Sequence, residues 1–140
     1  MYGIVLDTNV LVAALRSRRG ASYALLGSIG RSWQPLISVA LVLEYEAVAK
    51  RETERSHLPM EAADEIIDRF CLLGRKVETQ IQVRPSLPDP KDEFLLELAV
   101  NGSADAIVTH NVRHLSEGRR FGIPVLTPGE FLRKIRAEGL

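Results

Sequence analysis

Apolar residues run along this chain in two rhythms. Gly3 to Leu6 is an unbroken aliphatic stretch with no polar alternation, the pattern of a strand covered on both faces, and Val10 to Leu15 continues at helical spacing. After a turn at "RSRRG", Tyr23 to Ile29 fits a short helix and "WQPLIS" a second strand ending at Ser38. The helical period returns in "VALVLEYEAVAKR", which sets Val39, Leu43 and Ala47 on one side with Val42 and Ala49 near it, so that side is expected to face the core. "LPMEAADEIIDRFCLLG" opens near a proline and closes on a glycine, the asymmetry of a complete helix. "KVETQIQV" alternates and predicts a third strand with one solvated face, near an edge of the sheet.

The segment "RPSLPDPKD" holds three of the seven prolines, so it predicts an ordered loop leading into the helix "DEFLLELAV". "DAIVT" and "GIPVLTP" predict the fourth and fifth strands, and "PGEFLRKIRAEG" a closing helix. Strands alternating with helices imply an α/β three-layer sandwich: a central, mainly parallel five-stranded sheet flanked by helices on both faces. No repeat, low-complexity tract or linker interrupts the 140 residues, which fit one domain spanning 1–140.

Composition narrows the class without naming a chemistry. With 46% hydrophobic and 26% charged residues the chain is an ordinary globular protein. No basic leader with a cleavage site and no membrane-length apolar run is present, so a cytoplasmic protein without a membrane partner is expected. Cys71 is the single cysteine, which excludes an intrachain disulfide, and its helical apolar context predicts a buried, inert thiol. Eighteen basic and eighteen acidic residues cancel, so overall charge lends no support to nucleic-acid binding. Local basic groups remain: Arg16, Arg18 and Arg19; Lys50, Arg51 and Arg55; Arg113, Arg119 and Arg120. Taken singly, each group reads by default as solvated surface.

Three acids stand where a solvated surface does not predict them well. Asp7 interrupts the first apolar run at a strand-to-helix turn, at the carboxyl edge where open α/β sheets bind ligands. Asp7, Thr8 and Asn9 are equally good helix N-caps, and on this stretch alone both readings stand. Glu44 lies in early turns of a helix so apolar that its carboxylate points either to a narrow solvent stripe or to something positive, whereas Glu46 reads as surface. Asp92 precedes "FLLELAV" as an N-cap or a first-turn acid. In the expected topology all three reach the same edge. Converging carboxylates repel unless a cation offsets them, and an oxygen-only set without paired His or Cys suits Mg²⁺ or Mn²⁺. Such a site suits phosphodiester hydrolysis.

The segments "VLDTNVLV", "SVALVLEYEAV", "DPKDEFLLELAV" and "ADAIVTHNVRHL", in this order, resemble the PIN-domain ribonucleases, and within them the VapC-type toxins of toxin–antitoxin pairs. The resemblance implies that Asp7, Glu44 and Asp92 are catalytic metal-binding acids, and that Thr8, Asn9, Ser38 and Thr109 support the site or contact phosphate. It also implies an RNA substrate, a cognate antitoxin and a homodimer. At the fourth acidic position, two residues past the strand-ending threonine, this chain carries Asn111, an oxygen donor without charge. Arg16, Arg18, Arg19 and Arg113 are the candidates for the RNA backbone.

Asp105 opens the fourth strand at the opposite edge and reads as structural, while Asp89, in the proline-rich loop, could approach the site, although turn chemistry alone explains an Asp before a proline. His110 and His114 read as surface or phosphate-contacting residues. A haloacid-dehalogenase-type phosphatase would carry Asp at position 9, where this chain has Asn9, and a receiver domain would carry a lysine after the fifth strand, which "IPVLTPGEF" lacks. The competing reading is a catalytically impaired PIN-fold module that binds RNA or a protein partner, favoured by Asn111 and the zero net charge. Against it, carboxylates crowded together without metal are a cost to stability.

Overall fold

The computed structural model describes residues 1–80 and 90–139. In chain order the elements are β1 (Tyr2–Leu6), α1 (Thr8–Arg16), α2 (Ala21–Leu26), β2 (Trp33–Ile37), α3 (Val39–Ser56), α4 (Met60–Leu73), β3 (Arg75–Lys76), α5 (Pro90–Asn101), β4 (Ala106–Val108), a 3-10 helical segment (Val112–Phe121), β5 (Val125–Leu126) and α6 (Pro128–Ala137). Five parallel strands form one sheet in the order β3-β2-β1-β4-β5, flanked by helices, which is the expected three-layer architecture.

β1 is the hinge of this topology. It pairs with β2 on one side (Tyr2 opposite Trp33, Ile4 opposite Pro35) and with β4 on the other (Ile4 opposite Ala106, Leu6 opposite Val108). From β1 the chain steps outward to β2 and β3, then returns to lay β4 on β1's other flank. The connections after β1 and β4 therefore diverge, and this opens a crevice at their carboxyl ends. Ile4, Val5 and Leu6 are essentially inaccessible, as an uninterrupted apolar strand in a parallel sheet requires. Trp33 is also fully buried, with its indole N–H donating to Ser28 Oγ at 2.9 Å. Gly74 ends α4 where it meets β2: a Cβ there would stand 2.9 Å from the Pro35 carbonyl oxygen, so only glycine allows the approach.

The structure departs from the sequence expectations at four places. The α3 side bearing Val39, Leu43 and Ala47 is exposed, with Val39 79% and Leu43 58% accessible. Leu41, Tyr45 and Ala49 pack inward instead, with Glu52 and Thr53 continuing the buried stripe. Both stripes have helical spacing, and burial of the large Tyr45 ring against Phe70 (centroids 5.1 Å apart) goes with the second. β3 takes the expected edge position but is only two residues long. It pairs Leu36 with Arg75 and Ile37 with Lys76, Val77 N–H adds a last bond to the Ile37 carbonyl at 2.8 Å, and then β2 ends because Ser38 turns to cap α3. Residues 81–83 of that expected strand and most of the proline-rich loop lie outside the described residues. Cys71 is exposed, not buried, since α4 buries Ala63, Ile67 and Phe70 on its opposite side. The 3-10 segment after β4 has no counterpart among the expected elements. Among the described residues no helix is long and apolar enough to cross a membrane.

Candidate active site

A cavity of about 630 Å³ opens at the carboxyl edge of the sheet. Asp7, Thr8 and Asn9 line it from the β1–α1 junction, Ala40, Leu41 and Glu44 from α3, Asp92, Phe94 and Leu95 from α5, and Asn111 and His114 from the segment after β4. The three acids and Asn111 therefore come from four separate stretches of chain to one cavity. Among the described residues, no three His, Cys, Asp or Glu side chains stand grouped so that they could hold a metal ion as they are placed.

Asp7 occupies the N-cap position of α1 with extended backbone (φ −66°, ψ 149°), yet its side chain makes no cap hydrogen bond. Its carboxylate turns instead toward β4. Thr109 Oγ1 donates to Asp7 Oδ2 at 2.8 Å, Asn9 Nδ2 donates to the same oxygen at 3.3 Å, and Thr8 Oγ1 reaches Oδ1 at 3.4 Å. The backbone is held from the same side, with Asp7 N–H donating to the Val108 carbonyl at 3.0 Å. All these partners are neutral, so the charge on Asp7 is oriented but not cancelled.

Thr8 and Asn9 are the first residues inside α1 and not caps. Asn9 is a connector: its amide donates to Thr109 Oγ1 at 3.2 Å while its Oδ1 accepts from His110 N–H at 3.2 Å. Thr109 is fully buried behind Asp7 and accepts a third bond from Asn111 N–H at 3.0 Å, so one hydroxyl organises Asp7, Asn9 and the backbone of Asn111. Ser38 does not line the cavity; its Oγ caps α3 by accepting from Leu41 N–H at 3.2 Å. Asp92 lies in the first turn of α5, where an acid also favours the helix dipole. Glu44 is half-buried at the cavity wall and Glu46 is exposed.

The remaining candidates separate from this cluster. Arg16, Arg18, Arg19 and Arg113 are not in the cavity wall. Arg16 grips Glu52 with Nε to Oε1 at 2.7 Å and Nη2 to Oε2 at 3.1 Å, and this pairing holds the buried Glu52 carboxyl below its usual range. Arg18 borders a different, largely apolar cavity together with Tyr23, Leu58 and Ile66. Asp105 lies at the far edge, accepting from Gly3 N–H at 2.7 Å. His110 shares a 3.0 Å hydrogen bond with buried Ser22, whereas His114 reaches the cavity wall. Asp89 lies outside the described residues.

Tyr45 is the residue that the sequence pattern did not single out. It is fully buried, and its hydroxyl donates to the Leu6 carbonyl at 2.6 Å, immediately before Asp7. Burial, reinforced by the Asp7 charge, pushes the phenol far above its ordinary range, so it stays a neutral donor.

The donor set fits a hard divalent cation. Carboxylate oxygens of Asp7, Glu44 and Asp92 and the amide oxygen of Asn111 face one cavity, and Asp7 is oriented by neutral donors that leave its negative charge in place.

A family model for the PIN domain matches residues 3–113 of the chain. Among solved structures, the chain is similar to VapBC2 from Rickettsia felis bound to a DNA fragment from their promoter, at 17% identity and TM-score 0.59, covering 89% of this chain and 96% of that one. It is also similar to VapBC-1 from nontypeable Haemophilus influenzae, at 14% identity and TM-score 0.59, covering 91% and 98%. No curated protein matches.

Proposed function

The chain belongs to the PIN domain family, a family of nucleases, and on that premise we propose that it is an Mg²⁺- or Mn²⁺-dependent endoribonuclease and the toxin of a toxin–antitoxin pair. One observation carries the reading: Asp7, Glu44 and Asp92, far apart in sequence, line a single cavity of about 630 Å³ with Asn111. Asp7, Glu44 and Asp92 would hold the ion and Asn111 would add a neutral oxygen. When bound, such an ion lowers the pKa of a water and offsets charge on the phosphate.

The chain's own residues do the positioning. Thr109 and Asn9 hold the Asp7 carboxylate in one orientation before any ligand arrives, which removes a reorganisation cost from binding. His114 and the Asn111 amide, which line the same cavity, offer hydrogen-bond donors to phosphate oxygens of single-stranded or structured RNA. Arg18, Arg19 and Arg113 would engage the backbone further out, while Arg16 is held by Glu52.

The VapBC neighbours support a protein antitoxin as partner, and the exposed α3 stripe supports a homodimer. A cytoplasmic site of action follows from the RNA substrate. The absent charge at Asn111 favours a second reading, a PIN module that binds RNA or a protein without cutting it.

Cleavage of a fluorogenic single-stranded RNA with Mn²⁺ separates the two. Wild type and the surface control Glu46→Gln should cleave alike, and Asp92→Asn should lose cleavage, because Asn keeps the size and one oxygen of the side chain but not its charge. Full cleavage by Asp92→Asn, at Mn²⁺ just saturating for wild type, overturns the three-carboxylate site; no cleavage by wild type supports the binding module.

A further inference from the structure

We infer that Tyr45 is a positioning residue: its hydroxyl ties α3, which carries Glu44, to the end of β1, which carries Asp7, and so sets the separation of the two carboxylates. The inference rests on the reading that these acids share a divalent cation.

The bond sits next to both acids in the chain. Tyr45 follows Glu44 in α3, and Leu6, whose carbonyl oxygen accepts at 2.6 Å, precedes Asp7. The two carboxylates are supported very differently. Asp7 is oriented by Thr109, Asn9 and the pairing of its N–H with Val108, all from the β4 side or from α1. Glu44 has no hydrogen-bond or ion-pair partner of its own among the described residues, so where it stands depends on how α3 is docked. The Arg16–Glu52 pair anchors α3 only eight residues further on, and Ser38 caps the helix without reaching β1. The Tyr45 hydroxyl is thus the polar tie between the amino-terminal half of α3 and the strand end. It is short and fully buried, so water does not compete for it.

A buried tyrosine that merely satisfies a strand-end carbonyl would give the same contact, so the test must move something besides stability. Tyr45→Phe keeps the ring packed on Phe70 and removes only the hydroxyl. Mn²⁺ binding to the full chain, followed by isothermal titration calorimetry below the melting temperature, should weaken about tenfold or more, the usual size when a supporting hydrogen bond behind a metal ligand is lost. Ser28→Ala, which removes the acceptor of the Trp33 indole away from the cavity, should lower the melting temperature yet leave the Mn²⁺ affinity unchanged. In a Glu44→Gln background the effect of Tyr45→Phe should shrink, because the hydroxyl acts through that carboxylate. Replacing Tyr45 with p-aminophenylalanine, which restores a donor, should recover affinity, and it serves as the test variant if Tyr45→Phe does not fold: Mn²⁺ binding there that is insensitive to Glu44→Gln counts against the inference. If Asp7→Asn loses Mn²⁺ while Tyr45→Phe binds it as wild type does, the positioning role is wrong and the metal site stands. If wild type and Asp7→Asn bind Mn²⁺ alike, the metal site fails and the inference with it.

Discussion

Replacing Thr109 by valine tests the organisation of the cavity at its most connected point. Valine matches threonine in shape, so the fully buried site is refilled without a void and only the hydroxyl is lost. That hydroxyl donates to Asp7 Oδ2 at 2.8 Å and accepts from Asn9 Nδ2 at 3.2 Å and Asn111 N–H at 3.0 Å. The last two donors are cheap to release, since Asn111 is exposed and Asn9 keeps its bond to Asp7 at 3.3 Å. The bond to the carboxylate is the costly one, and a hydrogen bond to a charged group contributes about 1.5–3 kcal/mol. A net loss of about 2 kcal/mol, divided by an unfolding entropy of about 0.3 kcal/mol/K for a chain of 140 residues, lowers the melting temperature by about 7 °C. Differential scanning calorimetry reads this directly, and Mn²⁺ titration of the same variant should show affinity reduced about 10- to 100-fold. Thr109→Ser, which keeps the hydroxyl, should recover most of the affinity while losing some stability to a missing methyl. A Thr109→Val variant melting within about 2 °C of wild type, with unchanged Mn²⁺ affinity, would refute the reasoning that one hydroxyl aligns the site.

Three further outcomes are expected. The Glu52 carboxyl is held below its ordinary value of 4.5, chiefly by the Arg16 hydrogen bond and against the opposing effect of its burial. A depressed folded value means stability that is present above about pH 4.5 and lost as pH falls through the folded value, so the melting-temperature gap between wild type and Glu52→Gln should be widest near neutrality and close in acid. Leu43→Glu, on the exposed α3 stripe, should shift the proposed homodimer toward monomer in sedimentation velocity without altering the melting of the monomer; an unchanged dimer would place the interface elsewhere. Arg19→Ala combined with Arg113→Ala should make the slope of log affinity against log salt shallower by about 0.7 for each lost contact with single-stranded RNA, and an unchanged slope would remove both from the interface.

The centre of the sheet was legible because β1 and β4 are buried on both faces: "GIVL" and "AIV" tolerate no polar residue, and that constraint survives in sequence as an unbroken apolar run. The side on which α3 is buried was not legible. Val39–Leu43–Ala47 and Leu41–Tyr45–Ala49 are both apolar at helical spacing, and periodicity alone ranks the more aliphatic stripe first. What separates them is tertiary: the Tyr45 ring meets Phe70 of α4, and Arg16 of α1 satisfies a glutamate that looks like surface. The length of β3 was hidden for a similar reason, because an edge strand can run only as far as its neighbour offers pairing, and β2 stops where Ser38 begins to cap α3.

The acids of the candidate site were visible as misplaced charges, and the topology brings Asp7, Glu44 and Asp92 to one cavity as their positions at strand ends and helix starts implied. The polar groups that hold them were harder to read, because a cap, a buried hydroxyl and a helix-start amide are chemically interchangeable until the partner is known. Asp7 illustrates the point. It occupies the N-cap position, so the cap reading was right about the backbone, but its side chain serves Thr109 and Asn9 and leaves the helix uncapped. A helix start without its cap forgoes roughly 0.5–2 kcal/mol. The hydrogen bond that Thr109 gives the carboxylate offsets that loss, so the choice of partners costs the fold little and leaves a negative charge fixed at the rim of the cavity. In the proposed reading that fixed charge, together with Glu44 and Asp92 on the same cavity, is what a divalent cation would meet.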